Sequence, residues 1–287
     1  MGRFINPFSD WGFKHIFGRD ISKPLLIDFL NCLLEGEKVV KDITIDRNEV
    51  QPEMVDERTV IFDVYCTSDT GEKFIVEMQS GTQPNFIDRT LYYASRVITQ
   101  QGEKGAAWQY GINAVYGVFF MNFKYASLES KFRIDAQLID NQSHVLVSDK
   151  LRLIYLQLPL FDKTEEDECE SDFDKWIYVL KNMEVLERMP FAAKNAVFER
   201  LASISDVSKL DKKERVQYDI SLKRYRDALS TIAGAEMEGE NRGIKKGIEL
   251  GRDEKGREIA AKMKSRGESV EIIKDYTGLS EEEIAQL

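Results

Sequence analysis

The sequence predicts an α/β sandwich around a mixed central sheet flanked by helices, followed by a C-terminal helical region, and three stretches carry that expectation. Thr59 to Ser80, TVIFDVYCTSDTGEKFIVEMQS, sets two runs rich in β-branched and aromatic residues around Asp69, Thr70 and Gly71. Such a pattern reads as a hairpin with a three-residue loop whose glycine takes the left-handed position. Ile112 to Phe123, INAVYGVFFMNF, is almost continuously apolar, as a strand covered on both faces should be. From about Glu165 the strand signals stop and charged segments follow.

Residues 8 to 34 open with helix-start signals and place Leu25, Leu26, Phe29, Leu30, Leu33 and Leu34 at helical spacing, with Pro24 suited to the first turn of a second helix. VKDITIDRNEV, residues 40 to 50, alternates as a strand does, and the hairpin follows it. Asn85 to Gln101, NFIDRTLYYASRVITQQ, carries Ile87, Leu91, Ala94 and Ile98 on one helical face and Asp88, Arg89, Tyr92 and Arg96 on the other. After the apolar strand, KFRIDAQLI and LRLIYLQLPLF read as two more strands. The order helix, strand, strand, strand, helix, strand defines the sandwich.

Three regions follow from these composition shifts: 1–164 as the α/β domain, 165–238 as a helical region, and 239–287 as a glycine-spaced connector with a helical tail. Gly239, Gly243, Gly247 and Gly251 recur every fourth residue, which suits either a loosely helical connector or a close helix-helix seam; the cost of about 1 kcal/mol per helical glycine favours the connector. The end, SVEIIKDYTGLSEEEIAQL, reads as two short helices broken at Thr277-Gly278, the second opened by a Ser280/Glu283 capping box. The same spacing suits the opening of a helix-turn-helix, but no basic recognition helix follows and a plain helical tail is the simpler reading.

The chemistry concentrates in the hairpin. In the register set by the three-residue loop, Ser68 pairs with Glu72 and Asp63 falls opposite Glu77. Ile61, Asp63 and Tyr65 then share a face with Ile75, Glu77 and Gln79, while Phe62, Val64, Cys66, Phe74, Val76 and Met78 form an apolar face that must be core. Opposed residues lie roughly 5 Å apart at Cβ, where two like charges destabilise a sheet. A bridging cation, a raised pKa on one carboxyl or a neighbouring Lys or Arg each relieves the conflict, and solvated surface carboxylates are the plainer alternative.

Composition narrows the classes. The 287 residues are 43% hydrophobic, enough for a real core. With two histidines, His15 and His144, and three scattered cysteines, Cys32, Cys66 and Cys169, zinc clusters and Ser-His-Asp or Cys-His catalysis are disfavoured, which leaves hard oxygen ligands suited to Mg²⁺ or Mn²⁺. There is no glycine-rich phosphate loop, no apolar run of membrane-spanning length and no signal-peptide pattern, so a cytoplasmic protein without a nucleotide cofactor or membrane partner is expected. A net charge of -10 argues against a large basic surface but leaves room for a local basic groove.

Asp63, the thirteen residues after it, Glu77-Met78-Gln79 and a helix carrying Arg89, Tyr92 and Tyr93 resemble the PD-(D/E)XK nuclease superfamily. With the N-terminal DWGFKHIFG, the DRTLYYASR helix and the tail TGLSEEEIAQL, the chain looks like the recombination-promoting nuclease (Rpn) family, a group labelled transposases of mobile elements. The resemblance implies a restriction-endonuclease-like core, a divalent metal held by Asp63 and Glu77 with the Met78 carbonyl, and hydrolysis of DNA phosphodiesters with Gln79 as a further catalytic group. Gln79 stands where the superfamily usually has lysine, which removes a positive charge; Lys14 or Lys73 are candidates to restore it. Asp10 stands one turn from Lys14 and supplies either a further acid or an i,i+4 ion pair. Arg89 and Arg96 face either phosphate or solvent, or link to Asp88, and Tyr92 and Tyr93 suit core or groove lining.

The expectation is therefore a Mg²⁺- or Mn²⁺-dependent DNA endonuclease associated with recombination, with Asp63, Glu77 and Gln79 catalytic and Asp10, Lys14, Arg89 and Tyr92 as accessory candidates. The alternative is a catalytically silent DNA-binding or protein-interaction module that keeps the fold. A homo-oligomer through the C-terminal helical region is a further expectation.

Overall fold

In a computed structural model, residues 2–47, 49–50, 59–103, 108–126, 128–193 and 195–287 are described. Helix α1 (Asp10–Phe17) starts where the Ser9 hydroxyl accepts from the Gly12 N–H, and α2 (Lys23–Leu33) carries Pro24 in its first turn. The segment expected as one strand over residues 40 to 50 divides into β1 (Ile43–Ile45) and β2 (Glu49–Val50); Asn48 lies outside the described residues. Next come β3 (Val60–Ile61), β4 (Val64–Ser68) and β5 (Lys73–Gln79).

The hairpin has the register that its loop chemistry dictates. Val64 pairs with Val76 and Thr67 with Lys73, the Ser68 N–H donates to the Glu72 carbonyl at 2.9 Å, and Gly71 turns the chain with φ +92°. After it, α3 (Phe86–Thr99) crosses to β6 (Val115–Met121), and β7 (Arg133–Ile139) and β8 (Leu146–Gln157) complete a six-stranded sheet of order β1-β4-β5-β6-β8-β7. The β5, β6 and β8 strands run parallel and the other pairs antiparallel, so the sheet is mixed. β2 and β3 form a separate two-stranded ribbon.

Both faces of the central strands are covered, whereas β7 and the first half of β8 are largely exposed. Val64, Cys66, Phe74, Val76, Val118 and Phe120 belong to one buried cluster with the aromatic and leucine residues of α1 and α2, together with α4 (Asp172–Asn182) and α5 (Ala196–Ser205). Tyr65, Ile75, Phe119 and Tyr155 belong to the other, with Phe86, Ala94 and Val97 of α3. The central strand β6 feeds both, as its uninterrupted apolar sequence requires.

One face assignment is corrected. Phe62 does not join Val64 and Cys66; it packs in the opposite layer, 5.3 Å from the Tyr65 ring and 5.4 Å from the Tyr93 ring. The cause is the break between β3 and β4 at Phe62 and Asp63, where strict alternation ends.

The chain divides into two compact units, Met1–Leu229 and Ser230–Leu287. The boundary falls within α6 (Lys212–Ser265), whose Tyr218 and Leu222 are buried in the first unit's core. The glycine-spaced segment, expected as a loosely helical connector, lies within α6, which stays helical through Gly239, Gly243, Gly247 and Gly251, each with open space where a Cβ would stand. Strong helix formers around the glycines and surface pairs such as Lys262 with Glu258 at 2.6 Å oppose the glycine cost. In the second unit, α7 (Val270–Thr277) ends at Gly278 with φ +72°, and α8 (Glu281–Ala285) opens with the Ser280/Glu283 capping box. Ala260, Ile273, Leu279 and Ile284 form its core.

Phe120 is fully buried with its ring 5.2 Å from Phe29 and 5.6 Å from Phe13. Phe120→Ala should cost about 3–5 kcal/mol of unfolding free energy, measured by urea titration. Gly243→Ala should raise the stability of the helical segment by about 1 kcal/mol, because the position is helical and unobstructed; a connector lacking helix would show no such gain.

Candidate active site

The pairing of β4 with β5 places both acids at the end of the ladder. Asp63 directly precedes β4, and one step beyond the Val64–Val76 pair it faces Glu77. There the two carboxylates cross over. Glu77 Oε1 accepts from the Asp63 N–H at 3.1 Å, and Asp63 Oδ2 accepts from the Met78 N–H at 2.9 Å. Side-chain oxygens thus replace the main-chain bonds that the strands no longer exchange.

This arrangement buries charge. Glu77 is 8% exposed. Burial pushes its carboxyl well above the ordinary range, the Asp63 charge pushes it further, and the Asp63 N–H and Arg89 oppose the rise only in part. Burial also raises Asp63, against the Met78 N–H and Lys14. Two acids that resist ionisation side by side form a locus where a cation is stabilised.

Lys14 is the cation that the structure brings nearest. From α1 its ammonium lies 2.5 Å from Asp10 Oδ1 and 3.7 Å from Asp63 Oδ1. Burial lowers its pKa, but the Asp10 hydrogen bond and the charges of Asp10, Asp63 and Glu77 outweigh this and hold it raised. Asp10 therefore forms the i,i+4 ion pair and reaches the acids through Lys14. Lys73 points elsewhere, donating to the Thr67 hydroxyl at 2.8 Å near the turn.

Gln79 extends the row. Its amide donates to the Gly81 carbonyl at 3.0 Å, and its oxygen accepts from the Arg89 guanidinium at 2.6 Å. Arg89 also donates to the Gln83 side chain and lies over the Phe86 ring at 5.5 Å and the Tyr93 ring at 5.7 Å. Arg89 is thus fixed toward the site and does not simply extend into solvent. Arg96 is buried and Tyr92 exposed, whereas the half-buried Tyr93 packs on Phe62 near Glu77. Neither the reach of Lys14 nor the Gln79–Arg89 bond was evident from spacing along the chain, since each joins separate elements.

The donor set fits a hard divalent ion. It offers two carboxylates and the Met78 carbonyl, which opens toward Asp63 because N–H and C=O of one extended residue point to the same neighbour. Among the described residues, no group of three or more His, Cys, Asp and Glu side chains could hold a metal.

The site is thus an acid pair at the end of the β4–β5 ladder, in a mixed sheet with helices on both faces. A family model described as PD-(D/E)XK nuclease family transposase matches residues 7–235, and the chain belongs to that family. No curated protein and no solved structure matches it. PD-(D/E)XK nucleases generally use divalent metal ions. No helix among the described residues is long and apolar enough to cross a membrane.

The metal-free protein should show the raised Glu77 pKa in its stability. An acid raised from 4.5 to about 8 on folding binds more protons in the native state between those values. Its contribution is fully present below about 4.5 and is lost as pH rises through about 8. Urea midpoints in chelator should therefore fall across that window, and Glu77→Gln should flatten the dependence; an equally steep slope in the variant would place the proton elsewhere.

Proposed function

We propose that the protein is a Mg²⁺- or Mn²⁺-dependent endonuclease that hydrolyses DNA phosphodiester bonds, acting in recombination of mobile elements. The observation that carries the reading is the crossed pair of hydrogen bonds holding Asp63 and Glu77 against each other in a buried setting. Asp63, Glu77 and the Met78 carbonyl would hold the ion, which supplies Lewis acidity and charge neutralisation when bound.

The chain's own groups account for the rest. Lys14 supplies the positive charge that Gln79 lacks, reaching Asp63 from a different element. On phosphate binding its ammonium is placed to share its charge with a non-bridging oxygen. Gln79 carries an amide that orients a water or donates to phosphate, and Arg89 fixes that amide by bonding its oxygen. Arg89 also adds positive charge beside Glu77, favouring the ionised form that the chemistry needs.

A plasmid-cleavage assay with Mg²⁺ or Mn²⁺ tests the reading. Asp63→Ala and Glu77→Ala should each lower cleavage by at least about 10²-fold, and unaffected cleavage would remove the assignment. Lys14→Met should lower it by about 10–100-fold while leaving DNA retention measurable, with partial recovery in Lys14→Arg.

A further inference from the structure

We infer that the cleft between α1 and the first turns of α6 binds a single unpaired nucleotide of the strand whose backbone passes Asp63 and Glu77. The inference rests on the nuclease reading above and adds a base-binding subsite to it. The cleft holds about 500 Å³ and is walled by Phe8, Trp11, Tyr225 and Arg224, with Asp10 and Ser80 also in its lining. Its size falls within the roughly 300–1,000 Å³ of pockets that take small organic ligands. One base with its sugar fits such a volume; a paired duplex does not.

Two continuous links join this cleft to the acid pair. On one wall, Asp10 bonds Lys14, which approaches Asp63. On the other, Ser80 follows Gln79, whose carbonyl accepts from the Asn122 N–H at 2.9 Å, and the Asn122 side chain donates to the Tyr225 hydroxyl at 3.2 Å. A strand crossing the acids therefore has the cleft beside its backbone.

The walls suit a base and are held in place beforehand. The Phe8 and Tyr225 rings lie 6.5 Å apart at an interplanar angle of 21°, and the Trp11 indole is braced against the His15 ring at 4.3 Å. The Trp11 N–H of the main chain donates to Ser221 Oγ at 3.0 Å, which ties α1 to α6. Aromatic faces take any base by stacking, and the exposed Arg224 guanidinium offers charge to the adjoining phosphate. Asp10, the acid in the wall among the described residues, is already paired with Lys14. An apolar partner helix would not use Arg224 in this way, whereas a nucleotide uses both the rings and the charge.

The test measures binding by fluorescence anisotropy of the full chain in EDTA, with labelled DNA hairpins either fully paired or carrying one unpaired thymine. The unpaired base should tighten binding by about tenfold. Ala228→Trp, at an exposed position lining the cleft, should fill it and remove the difference between the two hairpins. Tyr225→Leu should act likewise, and circular dichroism of both variants should match the parent. Equal affinity for the two hairpins, an undiminished preference in Ala228→Trp, or competition by free thymidine monophosphate without any hairpin preference would each overturn the proposal. Absence of metal-dependent cleavage in a protein that keeps the preference would overturn the nuclease reading while supporting the cleft as a nucleotide site.

Discussion

The constraint on which the site depends is the loss of main-chain pairing immediately before β4. While β4 and β5 pair, their backbone groups satisfy each other; at Asp63 the ladder stops and the exposed N–H groups need other acceptors. The two acids provide them, each bonding the main chain beside the other. This fixes each carboxylate beside the other acid's main chain, so the electrostatic conflict is built into the backbone geometry. Burial beneath α3 on one side and the approach of α1 on the other keep water from dispersing the charge, and the raised pKa values follow.

Further contacts hold the elements around the site together. Phe62 turns into the α3 layer at the break and meets Tyr65 and Tyr93, so the interruption is anchored by aromatic packing. The first helix is held from behind by α6, through the Trp11 N–H to Ser221 and the Asn6 N–H to the Tyr218 hydroxyl at 2.8 Å. Lys14 leaves a helix tied to α6 and approaches Asp63 to 3.7 Å. Positioning of a charged group in this way limits the reorganisation that a reacting phosphate would otherwise demand.

Local chemistry made part of this legible. A glycine at the left-handed position of a three-residue loop determines the register, and the register alone brings Asp63 opposite Glu77. The all-apolar β6 announced a strand with two covered faces, and the capping residues Ser280 and Glu283 marked α8. What local sequence conceals depends on tertiary placement. The inversion of Phe62 follows from a strand break that β-branched residues on either side conceal. The persistence of α6 through its glycines reflects the charged helix formers between them, which outweigh a penalty counted residue by residue. The Arg89–Gln79 and Lys14–Asp63 contacts join residues whose sequence separation carries no periodic signal.

The glutamine at position 79 gains its meaning from those distant contacts. On its own it looks like the loss of a positive charge from an E-x-K arrangement. In the fold, however, Gln79 is the acceptor for Arg89, and a lysine there would set two cations against each other at the distance now spanned by a 2.6 Å hydrogen bond. Positive charge is instead distributed on either side of the acids, with Lys14 beside Asp63 and Arg89 beyond Gln79. The neutral amide between them separates the two cations and lets Arg89 remain stacked over Phe86 and Tyr93. Glutamine at this position and arginine one helix away are therefore a matched pair, and the charge balance of the site is a property of three elements together.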